Sequence, residues 1–89
     1  MSEEIHIAGI IVAATRAHAA TVKANLALLP RTIVHAAAED GRMVVTLETT
    51  STQATLDCMD AIRALPGVLN VALVYQHAEP TAAMEEVLP

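Results

Sequence analysis

Few residues in this chain have side chains that could do chemistry, and their spacing argues against most of it. His6, His18, His35 and His77 are the candidates for a proton carrier or metal ligand. They fall on separate strands, an outer helix face and the C-terminal segment, and none stands at ligand spacing. Cys58 is the single cysteine, so neither an intrachain disulfide nor a Cys-x-x-Cys motif can form, and beside Met59 it reads as a small core residue. Asp57 and Asp60 lie one helical turn apart like a solvated face, while Glu3-Glu4 and Glu85-Glu86 are terminal. With no glycine-rich phosphate loop and no nucleophile paired with a base, the expectation is a binding protein without cofactor or metal, not an enzyme.

Composition narrows the partners. Ten acidic against five basic side chains give a net charge of −5, which repels nucleic-acid phosphates and anionic lipid and attracts a basic partner. The N-terminal Met1-Ser2-Glu3-Glu4 carries acid where an export signal carries Lys or Arg, and no apolar run reaches the roughly 18 residues of a membrane span. A cytoplasmic protein with no membrane insertion is therefore expected. Its 89 residues suit one domain, expected over residues 1–78, followed by a disordered tail over residues 79–89 rich in Glu, Ala and Pro. Hydrophobic residues make up 54% of the chain and Tyr75 is its only aromatic, so the core must be aliphatic.

The elements that must position any site follow from periodicity and punctuation. Ile5–Ala13 is apolar on both parities, as a central strand is. Thr15 can cap a helix from about Arg16 to Leu29, with Ala19, Val22, Leu26 and Leu29 along one face and Pro30 ending it. Thr32–Ala37 reads as a second strand, Asp40-Gly41 as a tight hairpin turn, and Met43–Glu48 as a third. Thr50 and Gln53 have capping-box spacing for a second helix over about Ser51–Ala64, with Leu56, Met59, Ile62 and Leu65 on its apolar face. Pro66-Gly67 breaks it before a fourth strand, Val68–Tyr75. The order βαββαβ predicts an α+β, ferredoxin-like domain with a four-stranded antiparallel sheet and two helices on one face.

If the crossovers leave one face of the sheet bare, alternation names its residues. Met43, Val45 and Leu47 suit the helices, as do Val71, Leu73 and Tyr75. The opposite set is Ile7, Gly9 and Ile11 on the first strand, Ile33 and His35 on the second, Arg42, Val44, Thr46 and Glu48 on the third, and Asn70, Ala72, Val74 and Gln76 on the fourth. Apolar residues interleaved with small ones form a shallow trough into which an apolar helix or peptide can settle.

Three stretches carry a resemblance to a known family: Gly9-Ile10-Ile11-Val12-Ala13, Gly41-Arg42-Met43-Val44-Val45-Thr46-Leu47-Glu48 and Gly67-Val68-Leu69-Asn70-Val71-Ala72-Leu73-Val74-Tyr75. In that order and over about Ile5–His77 the chain resembles the NapD family. The resemblance implies a cytoplasmic chaperone that binds the twin-arginine signal peptide of the catalytic subunit of periplasmic nitrate reductase, delaying export while the molybdenum cofactor is loaded. Family members often carry Ser where this chain has Gly9 and Ala72, and commonly His where it has Gln76.

The expected signal-peptide site is accordingly Ile7, Gly9, Ile11, His35, Val44, Thr46, Glu48, Ala72, Val74 and Gln76, with Glu48 a partner for the arginines and Thr46, Gln76 and His35 as hydrogen-bonding groups. The competing class is a ligand-sensing or self-associating ferredoxin-like regulatory domain, with weak homodimerisation through the same face.

Overall fold

The computed structural model describes residues 4–80. Its elements are β1 (Glu4–Ala14), a short 3-10 turn (Arg16–His18) running into α1 (Ala19–Leu28), β2 (Thr32–Ala37), β3 (Arg42–Thr49), α2 (Thr52–Arg63) and β4 (Val68–Pro80). The sheet order is β2-β3-β1-β4, with every neighbouring pair antiparallel. This is the βαββαβ arrangement expected from the sequence.

β1 is central because both its parities can be buried. Ala8, Ile10, Val12 and Ala14 are sealed from solvent together with Met43, Val45 and Leu47 of β3 and Val71 of β4. Val22 and Leu26 of α1 and Met59 and Ile62 of α2 belong to the same cluster, so both helices cover one face of the sheet. Each large aliphatic side chain in it contributes about 1.5–3 kcal/mol of transfer free energy. Cys58 packs against this cluster, as a small core residue does.

Local chemistry sets the element ends, in places differently from the pattern-based expectation. Thr15 does not cap a helix with its hydroxyl; its Oγ1 lies 2.8 Å from His18 Nδ1, and the first turn is 3-10. After Pro30, Arg31 turns the chain with a left-handed φ of 57°, and its carbonyl accepts from the Glu48 N–H at 3.0 Å. The Thr50/Gln53 capping box does not form. Ser51 caps α2 instead, accepting from the Ala54 N–H at 3.0 Å, while the Gln53 amide reaches forward to Asp57 at 3.0 Å. The buried stripe of α2 is Thr55, Met59 and Ile62, with Leu56 left half exposed. A hydrogen bond of 2.7 Å between the Thr55 and Thr49 hydroxyls makes the polar residue tolerable there.

The β2–β3 hairpin depends on Gly41, whose φ of 99° is left-handed and whose missing side chain lets the Ala14 carbonyl close in. Asp40 braces the same turn, accepting from the Arg42 backbone N–H at 3.1 Å and from its Nε at 2.8 Å. β4 runs on to Pro80, which pairs with Glu4, slightly past the expected end of the folded part; the rest of the expected tail lies outside the described residues.

Candidate functional site

The face of the sheet opposite the helices is built from cross-strand rows. Glu48 of β3, Ile7 of β1 and His77 of β4 form the first; Thr46, Gly9 and Tyr75 the second; Val44, Ile11 and Ala72 the third; Arg42, Ala13 and Asn70 the last. β2 adds Ile33 beside Thr46 and Ala36 beside Val44. On β3 the alternation is clean: Met43, Val45, Leu47 and Thr49 are buried, while Val44 keeps 44% of its surface exposed.

Seven of the expected site residues therefore share one surface: Ile7, Gly9, Ile11, Val44, Thr46, Glu48 and Ala72. His35 joins them through a bulge in β2, where it has no register partner and its Nε2 sits 2.8 Å from Thr46 Oγ1. These two polar side chains satisfy one another.

The remaining two expectations are displaced by one irregularity. Between Gly9 and Ile10 the β1–β4 register shifts, so that Leu73 opposes Ile10, Tyr75 opposes Gly9, and Val74 is the extra, unpaired residue. One inserted residue reverses the face of everything beyond it. Tyr75, expected among the helices, lies instead on the open face, and Gln76, expected on the open face, turns to the helices, where its Nε2 donates to Thr52 Oγ1 at 3.1 Å. Val74 is exposed but stands outside the rows. His77, read from the sequence as part of the C-terminal segment beyond the fourth strand, is a strand residue opposite Ile7.

Tyr75 changes what Gly9 does. Its ring lies over the glycine, and a Cβ built at position 9 would overlap the Cε1 and Cδ1 atoms. Gly9 is consequently buried despite facing away from the helices. An aromatic ring from the neighbouring strand fills the gap that glycine leaves in a central strand, so the floor of the trough here is the chain's own ring.

A depression in the face lies one row further on. Ile11 and Val44 line a depression of about 330 Å³ with Met43 and the small residues Ala36, Ala37 and Ala38, and Arg42 stands at its rim. These alanines were absent from the expected site. Their signal was present as a run of small residues in a strand, which reads as weak strand propensity unless its position at an open face is known.

Charge is unevenly spread across this surface. Glu48 is exposed at one end and forms no ion pair among the described residues, whereas Arg42 at the other end is held by Asp40 at 2.8 Å. The backbone N–H of Arg42, its side-chain hydrogen bond and its charge hold the Asp40 carboxyl below the ordinary 3.8. Among the described residues no group of three His, Cys, Asp or Glu side chains could hold a metal ion, and no helix is long and apolar enough to cross a membrane.

A four-stranded sheet shielded on one side by two helices and left largely apolar on the other defines a ferredoxin-like domain with one open sheet face. The NapD protein family model matches residues 5–80, and the chain belongs to that family. It is similar to the solution structure of the E. coli Tat proofreading chaperone protein NapD, with a TM-score of 0.77 and 22% identity, covering 84% of this chain and 80% of that one. At that identity the likeness speaks for the fold. No curated protein matches the chain in sequence.

Proposed function

We propose that this chain is a cytoplasmic chaperone that binds the twin-arginine signal peptide of the catalytic subunit of periplasmic nitrate reductase, holding the precursor back from export while its cofactor is inserted. The observation that carries the reading is the uncovered face: Val44, Ile11, Ile33 and Ala72 present apolar surface to solvent on the side that neither helix reaches. Family membership supports the same reading, as does the likeness to the E. coli Tat proofreading chaperone protein.

The physical fit has two parts. A twin-arginine signal joins two adjacent cations to a moderately apolar stretch, and the face offers at Glu48 a carboxylate with no ion pair among the described residues, and an apolar floor at Ile11, Val44 and Ala72. Burial of the apolar stretch supplies affinity, and the net charge of −5 speeds encounter with a cationic guest. Holding and release need no bond to be made or broken, so the work is binding and not catalysis.

Titration with a synthetic signal peptide tests this, followed by light scattering and by the emission of Tyr75, the only aromatic side chain in the chain. A monomer passing to a one-to-one complex with altered tyrosine emission is expected. A dimer that persists unchanged when peptide is added would assign the face to self-association.

A further inference from the structure

Charge alone fixes no place for a guest arginine on the open face, because acid and base neighbour one another at both ends. Arg31 stands beside Glu48, its carbonyl accepting from the Glu48 N–H at 3.0 Å, and Arg42 is held by Asp40 at 2.8 Å with the exposed Glu39 next in the chain. Between those ends the face carries a ring. We infer that the outer side of the Tyr75 ring seats one arginine of the guest's pair, with the guanidinium stacked flat upon it. This rests on the reading that the face binds a twin-arginine signal peptide, and it names the group that tells arginine from lysine there.

Three observations converge. A Cβ built at Gly9 would stand 2.5 Å from Tyr75 Cδ1, 2.8 Å from Cζ and closer still to Cε1, which puts it over the ring and not beyond its edge. The ring therefore lies with one side against the backbone of β1 and the other turned away from the sheet. Half of the residue remains open to solvent, at 50% exposure, so the outer side is available to a guest. Ile7 and Ile11 flank Gly9 along β1 on the same surface, an apolar support for the methylenes of an arginine whose head rests on the ring.

The chemistry selects the occupant. The face of an aromatic ring is negative and attracts a cation, more strongly once a bound peptide shields the contact from water. A guanidinium is planar and weakly hydrated and stacks on such a face, whereas the ammonium of lysine is compact and holds its water. The inner side of the ring thus serves the fold by covering Gly9, and the outer side serves recognition.

The experiment titrates the full chain calorimetrically with a synthetic nitrate reductase signal peptide, and with peptides in which each arginine of the pair is replaced in turn by Lys. Wild type, Tyr75→Phe and Tyr75→Leu are compared. Replacing the stacked arginine is expected to weaken binding about fivefold in wild type and Tyr75→Phe. It should make no difference in Tyr75→Leu, whose side chain covers Gly9 without a π face. A ring that only fills the gap over Gly9 predicts the same loss in all three chains, and that result, or no loss in any, overturns the inference. NMR of the wild-type complex reads the contact without a variant. The side-chain protons of one guest arginine are expected to move upfield in the ring current of Tyr75, the only aromatic residue of the chain. Upfield shifts confined to the guest's apolar side chains assign the ring to them and also overturn it, leaving binding intact. A peptide that fails to bind the wild-type chain removes the functional reading itself, and the arginine seat with it.

Discussion

The ring of Tyr75 lies over Gly9 on the open face of the sheet, so the only aromatic side chain of the molecule covers the only glycine in its central strand. A one-residue bulge in β4 creates this contact by opposing Leu73 and Val74 together to Ile10.

The two positions should therefore be energetically coupled. Tyr75→Ala removes a half-buried ring and is expected to cost about 1 kcal/mol, lowering Tm by roughly 4–8 °C. Gly9→Val should destabilise the wild-type chain by displacing the ring, yet become neutral or favourable in the Tyr75→Ala background, where a β-branched residue suits a central strand. Equal costs in both backgrounds, from urea unfolding of the four variants, would show that the ring and the glycine act independently.

Substitutions on the two faces of the sheet should separate binding from stability. Val44→Glu on the open face is expected to leave the circular dichroism spectrum and the unfolding midpoint nearly unchanged while reducing affinity for the signal peptide more than tenfold. Ile10→Ala, one parity away and fully buried, is expected to cost about 2–5 kcal/mol of stability. Calorimetric titration that finds Val44→Glu binding normally would move the site off this face.

How much of this could be read before the fold was known depends on where the register is uninterrupted. β1 and β3 pair without a slip from His6 to Ala13, so alternation correctly placed Ile7, Ile11, Val44, Thr46 and Glu48 on one surface. β4 breaks the rule because a bulge is set by the pairing of two distant strands, and no local pattern in Leu73-Val74-Tyr75 announces it. Capping failed for a similar reason: Thr50 and Ser51 both carry hydroxyls with suitable neighbours, and only the backbone of the incoming strand decides that Ser51 takes the Ala54 N–H. The alanines of the depression were legible as residues but not as a cavity, since emptiness is a property of what surrounds them.

Ser51 offers a clean local test of that cap. Ser51→Ala is expected to cost about 1 kcal/mol, because the Ala54 N–H loses its acceptor at the first turn of α2. Thr50→Ala should cost little. Comparable losses from the two, measured by denaturant midpoint at constant m-value, would return the cap to Thr50.

The Asp40 carboxyl should titrate below its ordinary value of 3.8, owing first to the Arg42 backbone N–H and then to the Arg42 guanidinium. A depressed carboxyl contributes stability that is present above the unfolded-state value and is lost as pH falls through the folded-state value. The hairpin is thus expected to loosen only below pH about 3.8, and Arg42→Ala, which keeps the backbone bond, should move the carboxyl part of the way back. Carbon-detected NMR titration of Asp40 measures both; a midpoint at or above 3.8 in the wild type contradicts the assignment.

The irregularity in β4 also bears on what the open face presents. Because Val74 has no register partner, losing it would leave Tyr75 opposite Gly9, whereas drawing it into the ladder opposite Gly9 would turn Tyr75 toward the helices and Gln76 to the open face. Which side chains that end of the strand shows to solvent is thus decided by a choice of pairing as well as by the identity of its residues.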